Sequence, residues 1–180
     1  LLEKISSNTL IVNNPIEVRN CPEKIFVLNF ENLIPPTMIT RNINVIKDFI
    51  RIHKDIIIKP IYGNGGSGIF KTFLNDENLN SLIEIFFSIS NEPIILQKYL
   101  PEVKLGDKRI ILIDGEPVGA INRVPQKNEI RSNLHVGGEA RKTNLSERDK
   151  FICSTIGPEL RKRNLFFVGI DVIGDYLTEI

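Results

Sequence analysis

The residues most able to do chemistry gather at a few places along the chain. Gly63-Asn64-Gly65-Gly66-Ser67-Gly68 is a run in which consecutive backbone N–H groups can turn toward a phosphate with no Cβ in the way. Its spacing is formally GxGxxG. That dinucleotide-binding fingerprint needs a helix directly after the glycines, whereas Ile69 to Phe73 alternates like a strand. A Walker loop is excluded because no GK[ST] follows. A glycine-rich hairpin folded over a triphosphate remains, with a merely flexible turn as the alternative. Lys59 stands just before the run, at the end of an apolar strand, where an ammonium is costly to bury without an anion. A phosphate is the anion its neighbours suggest; a snorkelling surface lysine is the plainer reading.

Asp171 and Glu179 are acids in two otherwise apolar strands joined by Gly174-Asp175. Two carboxylates aimed into one cavity are expensive unless a divalent cation lies between them, and the alternative is one surface acid on each strand. Arg109 and Arg123 flank the Asp114-Gly115 turn and can reach one anionic site, or can both be solvated. Gln97-Lys98-Tyr99-Leu100-Pro101 lies where one set of elements gives way to another. An extended segment there can offer its N–H and C=O groups to an adenine edge, or serve as a plain linker.

The elements that must position these residues follow from pattern. Strands are expected at Thr9–Val12, Thr37–Thr40, Asp55–Pro60, Ile69–Phe73, Ile94–Tyr99, Lys108–Ile113, Pro117–Val124, Phe166–Ile173 and Tyr176–Ile180. Helices are expected over Asn20–Phe30, Asn42–His53, Asn78–Ser88 and Ser146–Asn164, the last opened by Ser146 with Asp149 as an approximate capping box. The Asp114-Gly115 pair is a strong hairpin signal. Strands and helices mix without strict βαβ alternation, so the class is α+β. The chain has 180 residues with net charge +1, which gives no basic field for nucleic acid. No apolar run is long enough for a membrane span, so neither nucleic acid nor membrane is an expected partner. Two distant cysteines, Cys21 and Cys153, make a disulfide framework improbable and a reducing cytoplasm the default.

Taken together, DIIIKP-IYGNGGSGIF, LQKYLP, GDKRIILIDGEPVGAINRVP, NEIRSNLHVGGEA and IGPELRKRNLFFVGIDVIGDYLTEI resemble bacterial glutathione synthetase of the ATP-grasp superfamily. The likeness runs from about Thr9 to Ile180. It implies an ATP-grasp fold, two α+β lobes with the nucleotide site between them, and cytoplasmic ligation of γ-glutamylcysteine to glycine through an acyl phosphate with ATP and Mg2+ (or Mn2+). Residues 1–22 would be a remnant of a preceding domain, 23–99 the lobe with the glycine-rich loop, and 100–180 the lobe with the metal site.

The resemblance further implies that Lys24 and Lys59 hold ATP phosphates beneath Gly63, Gly65, Gly66, Ser67 and Gly68. Gln97, Lys98, Tyr99 and Leu100 would meet adenine, and Asp107 the ribose. Arg109 and Arg123 would face phosphate and acyl-phosphate charge as the catalytic pair. Arg131, Asn133, Gly137 and Gly138 would lie in a lid over substrate, and Asp171 and Glu179 would bind metal. A third metal ligand, an asparagine two residues after Glu179, would fall beyond Ile180. With its opening at Leu1-Leu2 and its close in mid-strand, the chain reads as cut short at both ends, and activity is not expected of it alone. The full-length parent is expected to be a homo-oligomer. Another ATP-grasp ligase, glutamate-adding or D-alanine-joining, is the nearest alternative; a nucleotide-binding module without catalysis is a more distant one.

Two structural expectations follow. Facing strands share a side only in the right register. For Asp171 and Glu179 to meet, the connection between their strands should be a loop of three or five residues, with Tyr176 at positive φ in the shorter case. The polar, aperiodic stretch Pro125 to Gly138 should be the most mobile interior segment without ligand. In a ligand-free crystal its B-factors should exceed those of every other interior loop; uniformly low values outside lattice contacts would count against a lid.

Overall fold

The computed structural model describes residues 1–5 and 8–180. Two antiparallel sheets organise it. The first has strands β1 (Thr37–Thr40), β2 (Asp55–Pro60), β3 (Phe70–Phe73) and β4 (Ile94–Lys98) in the order β1-β4-β2-β3. Helices α2 (Ile43–His53) and α3 (Leu79–Ile89) cover one of its faces. Ile56 and Ile58 of β2 and Ile94 and Leu96 of β4 meet Ile46, Phe49 and Ile50 of α2 and Ile83 of α3 in one apolar core. Alternation then forces Ile57, Lys59 and Gln97 onto the opposite face. That face carries the chemistry.

The second sheet contains β5 (Asp107–Ile113), β6 (Glu116–Val124), β7 (Glu139–Lys142), β8 (Phe167–Ile173) and β9 (Tyr176–Glu179), ordered β7-β6-β5-β8-β9. Ile110 and Leu112 of β5, Ile170 and Val172 of β8 and Leu177 of β9 pack on Ile152, Cys153, Ile156 and Leu160 of α4 (Glu147–Lys162). The residues between them, Asp107, Arg109 and Asp171, are turned to the other face.

Two sequence expectations are corrected. Thr9–Val12 is not a strand: it is irregular chain with no ladder partner, and it leads into the short helix α1 (Pro15–Asn20), capped by the Asn14 side chain on the Ile16 amide. The helix expected over Asn20–Phe30 is displaced, because Pro22 lies within it and the chain forms instead a 3₁₀ turn at Phe26–Phe30. Phe26, Val27 and Leu33 bury themselves in the second core, not the first. Strand β7 went unread because all four of its residues are exposed and carry no alternating apolar signal.

The turn joining β8 and β9 gives the sharpest correction. Ile173 pairs with Tyr176, so the connection is the two-residue Gly174-Asp175 turn, with Gly174 at φ 56°. Tyr176 is not among the residues at positive φ. Asp171 nevertheless lies opposite Glu179, because a bulge inserts Thr178 between the pairs Val172–Leu177 and Asp171–Glu179. Parity is restored in the strand instead of the loop. The Thr178 hydroxyl donates to the Asp171 carbonyl at 3.1 Å and holds the bulge in place.

The Asp149 carboxylate both caps helix α4 and links it to the second sheet. Asp149 accepts from the Ser146 amide, the Ser146 hydroxyl accepts from the Asp149 amide, and Asp149 also pairs with Lys108 of β5. Ser146→Ala should therefore cost about 1 kcal/mol, the usual worth of a cap. Asp149→Ala, which also strands a largely buried ammonium, should cost about 3 kcal/mol or more. Urea unfolding of both variants checks the ordering.

Candidate functional site

The two polar faces look at each other across a cleft of about 490 Å³. The first sheet contributes Lys59 at the end of β2, which is buried, and its ammonium donates to the Gln97 side-chain carbonyl of β4 at 3.2 Å. Gln97 in turn donates to the Thr37 hydroxyl at 3.0 Å, so Gln97 is fixed from both sides. Burial pushes the Lys59 pKa down, with nearby Glu179 opposing the shift. Lys24 enters from the segment ahead of β1 and donates to the Gly63 carbonyl at 2.7 Å. Both ammonium groups approach one carboxylate, Glu179 Oε1, at 3.7 Å for Lys24 and 3.9 Å for Lys59. The glycine run forms the β2–β3 hairpin, as the alternation after it requires.

The second sheet answers with a charged lattice. Arg109 lies opposite Asp171 across the β5–β8 ladder, and Arg123 opposite Asp107 across β5–β6. The Arg109 guanidinium grips both Asp171 oxygens, through Nε and through Nη2 at 2.8 Å. Burial works against the Arg109 charge, but the bond to Asp171 and the charges of Asp171, Asp107 and Glu179 together outweigh it and raise the pKa. Arg123 Nη2 bridges Asp107 at 2.5 Å and Asp171 at 2.9 Å. Burial pushes the Asp107 carboxyl up to about 7, helped by the Asp171 charge and opposed by Arg123. Asp107 Oδ1 and Arg123 Nε are buried with no hydrogen-bond partner among the described residues. Such groups are expensive to leave unmet.

Glu179 faces Asp171 on the same side of the β8–β9 hairpin, so the shared face holds although the loop length does not. Burial raises the Glu179 pKa, with the two lysines opposing and Asp171 adding to the rise. Two desolvated acids on one face are oxygen donors of the kind a hard divalent cation takes, Glu179 with only long contacts from the lysines and Asp171 with both oxygens engaged by Arg109 and Arg123. The residues fit a magnesium-type ion.

Of the residues singled out from sequence, Lys24, Lys59, Gly63, Gly65, Gly66, Ser67, Gln97, Lys98, Tyr99, Leu100, Asp107, Arg109, Arg123, Arg131, Asn133, Asp171 and Glu179 all line this one cleft. Lys59 and Asp171 thus share a cavity, not opposite outer surfaces. Three glycines do not line it. Gly68 packs against Pro60, while Gly137 and Gly138 form the neck of the loop, where a Cβ on Gly138 would lie 2.0 Å from the Ser132 carbonyl oxygen. In the segment Gln97 to Leu100, the amides of Lys98 and Tyr99 are already taken by the Pro36 and Asp55 carbonyls. Neither amide is therefore open to a ligand edge. Sequence reasoning also missed Ser132, whose buried hydroxyl donates to Asp107 at 2.9 Å, and His135, which lies against Gly65. Both sit in an aperiodic loop, where no pattern marks the side chain that turns inward.

Two lobes clasping a cleft between antiparallel sheets, with a glycine hairpin over lysines on one side and arginines with paired acids on the other, define an ATP-grasp domain. The D-cycloserine synthetase DcsG matches it with a TM-score of 0.74 at 13% identity, over 95% of this chain and 65% of that one. The ATP-grasp ligase PsnB, complexed with a phosphomimetic variant of its minimal precursor, Mg and ADP, matches with a TM-score of 0.66 at 18% identity, over 96% of this chain and 54% of that one.

Residues 23–180 match the family model described as prokaryotic glutathione synthetase, ATP-grasp domain, and the chain belongs to that family. It is 58% identical over its whole length to the glutathione synthetase of Mesorhizobium japonicum, of which it spans 58%.

The charge lattice predicts the outcome of breaking it. Arg123→Ala would leave Asp107 and Asp171 facing each other without their shared cation, in a place where little water reaches. Loss of about 3 kcal/mol or more is expected, read by chemical denaturation, and Arg123→Lys, which keeps the charge without the planar guanidinium, should recover only part of it.

Proposed function

We propose that this chain forms the nucleotide- and metal-binding core of an ATP-dependent ligase that joins γ-glutamylcysteine to glycine, acting in the cytoplasm as part of a homo-oligomer. The single observation that carries the reading is the meeting of Lys24, Lys59 and the glycine hairpin with Arg109, Arg123 and the Asp171–Glu179 pair in one cleft. Family membership and the close relatives narrow the substrates; the chain spans just over half of those relatives' length.

Chemistry of this kind needs positioning and charge stabilisation more than an acid–base pair. Lys24 and Lys59 supply the positive charge that a polyphosphate would need, and the glycine hairpin supplies backbone amides with room for close approach. Asp171 and Glu179 would hold Mg2+ (or Mn2+), which when bound offsets phosphate charge. Arg109 and Arg123 face the same volume, where they would stabilise the charge that develops as a carboxylate attacks the terminal phosphate. The acyl phosphate so formed would be opened by the glycine amine, with phosphate leaving. No side-chain nucleophile is required. Cys153 agrees with this: it is buried in the second core, and burial pushes its thiol up to about 11.

The protein at its full natural length, given ATP, γ-glutamylcysteine and glycine, should release one phosphate for each glutathione formed. Arg109→Ala should lower turnover by about a hundredfold or more, the scale seen when a transition-state charge partner is removed. Phosphate release that responds to D-alanine or glutamate and not to glycine would overturn the substrate assignment. Tight nucleotide binding with no phosphate release under any acceptor would overturn the ligase reading.

A further inference from the structure

The loop between β6 and β7 does not stand away from the glycine hairpin. It rests on it. A Cβ built on Gly65 would lie 1.9 Å from His135 Nε2 and 2.2 Å from its Cε1, so the imidazole edge occupies the space that any side chain at Gly65 would need. Next to it, a Cβ on Gly66 would meet Asn133 Oδ1 at 2.8 Å and Arg131 Cδ at 3.0 Å. Gly65 and Gly66 hold φ of 67° and 78°, so the tip of the hairpin needs glycine for its backbone as well as for the space. The loop is anchored below this contact by the Ser132 hydroxyl on Asp107, which fixes where His135 can reach.

His135 lines the cleft, is largely exposed, and its ring makes no hydrogen bond among the described residues. An imidazole held against a phosphate-binding turn, facing the same cavity with a nitrogen to spare, is a donor in search of an acceptor. Of the other cations of the site, Lys24 and Lys59 lie toward Glu179, Arg109 and Arg123 belong to the second sheet, and Arg131, beside Gly66, is paired with Glu129. The tip of the hairpin, around Gly65, has His135 as its nearest side chain.

We propose that His135 is a further nucleotide contact, a hydrogen-bond donor that the loop brings to the terminal phosphate held at the tip of the glycine hairpin. The proposal rests on reading the cleft as a nucleotide site and adds to it the residue that distinguishes a triphosphate from a diphosphate. A loop that senses the terminal phosphate through His135 would close fully over ATP and less over ADP, because only the former completes the contact. Closure and release would then follow the chemical state of the nucleotide.

Affinities of a β,γ-imido ATP analogue and of ADP, each with magnesium, measured by calorimetry on the full natural protein, test this. His135→Ala should weaken the ATP analogue about tenfold or more, the usual worth of a hydrogen bond to a charged group. ADP should change by less than about twofold. His135→Gln, which keeps a donor, should recover part of the loss, and His135→Leu, which keeps bulk without a donor, should not. Equal weakening of both nucleotides, recovery by leucine as good as by glutamine, or no change in either affinity would show the ring to be packing only and overturn the contact. Failure of the unsubstituted protein to bind either nucleotide would overturn the nucleotide site itself, and this contact with it.

Discussion

Asp171 accepts two guanidinium groups at once, Arg109 along one edge and Arg123 at 2.9 Å, on the face of the second sheet that lines the cleft. The rest of the molecule is arranged so that this can occur. The β5–β8 register sets Arg109 opposite Asp171, the β5–β6 register sets Arg123 opposite Asp107, and the opposite faces of the same strands are filled by isoleucine, leucine and valine packed on α4. A slip of one residue in any of these strands would drive the arginines into that apolar core. The apolar face therefore fixes the polar one. Buried ion pairs add little net stability compared with apolar residues of the same size. The lattice is better understood as an array of fixed charge on the cleft face than as a support for the fold.

The first sheet obeys the same constraint with fewer charges. Its core face is closed by α2 and α3, which leaves Lys59 and Gln97 facing outward to the cleft. Lys59 loses hydration there and regains only Gln97 and a distant Glu179. Lys24 is held by the carbonyl of Gly63, the first residue of the hairpin, so the lysine and the glycine-rich turn are positioned together. Across the cleft the two lysines share Glu179, and the arginines share Asp171. A nucleotide with its metal would have to take over partners from each of these pairs.

Much of this was legible from residue types because the informative signals were local. The hairpin nature of the glycine run followed from the alternation after it, and the Asp114-Gly115 turn and the Ser146 cap were recognisable by their own chemistry. Errors arose where tertiary packing decided. Thr9–Val12 has the composition of a strand but finds no edge to pair with, and Pro22 moves the helical turn toward Phe26. The Asp171–Glu179 pairing was reasoned correctly as a matter of parity, but parity can be adjusted by a bulge as well as by a loop. Thr178, a polar residue in an apolar strand, was the trace of that bulge. Ser132 and His135 could not be read at all. An aperiodic loop gives no face to its residues until the structure supplies one.

The account depends on the cleft between the two sheets being the place where nucleotide and cation displace these internal ion pairs. A crystal structure of the full natural protein with a β,γ-imido ATP analogue and magnesium would test that most directly. The account predicts the base beside Gln97 to Leu100, the phosphates beneath the glycine hairpin in contact with Lys24 and Lys59, and the cation on Asp171 and Glu179. A nucleotide bound outside the cleft, or one bound within it while Asp171 stays wholly committed to Arg109 and Arg123 and no cation reaches Glu179, would contradict it.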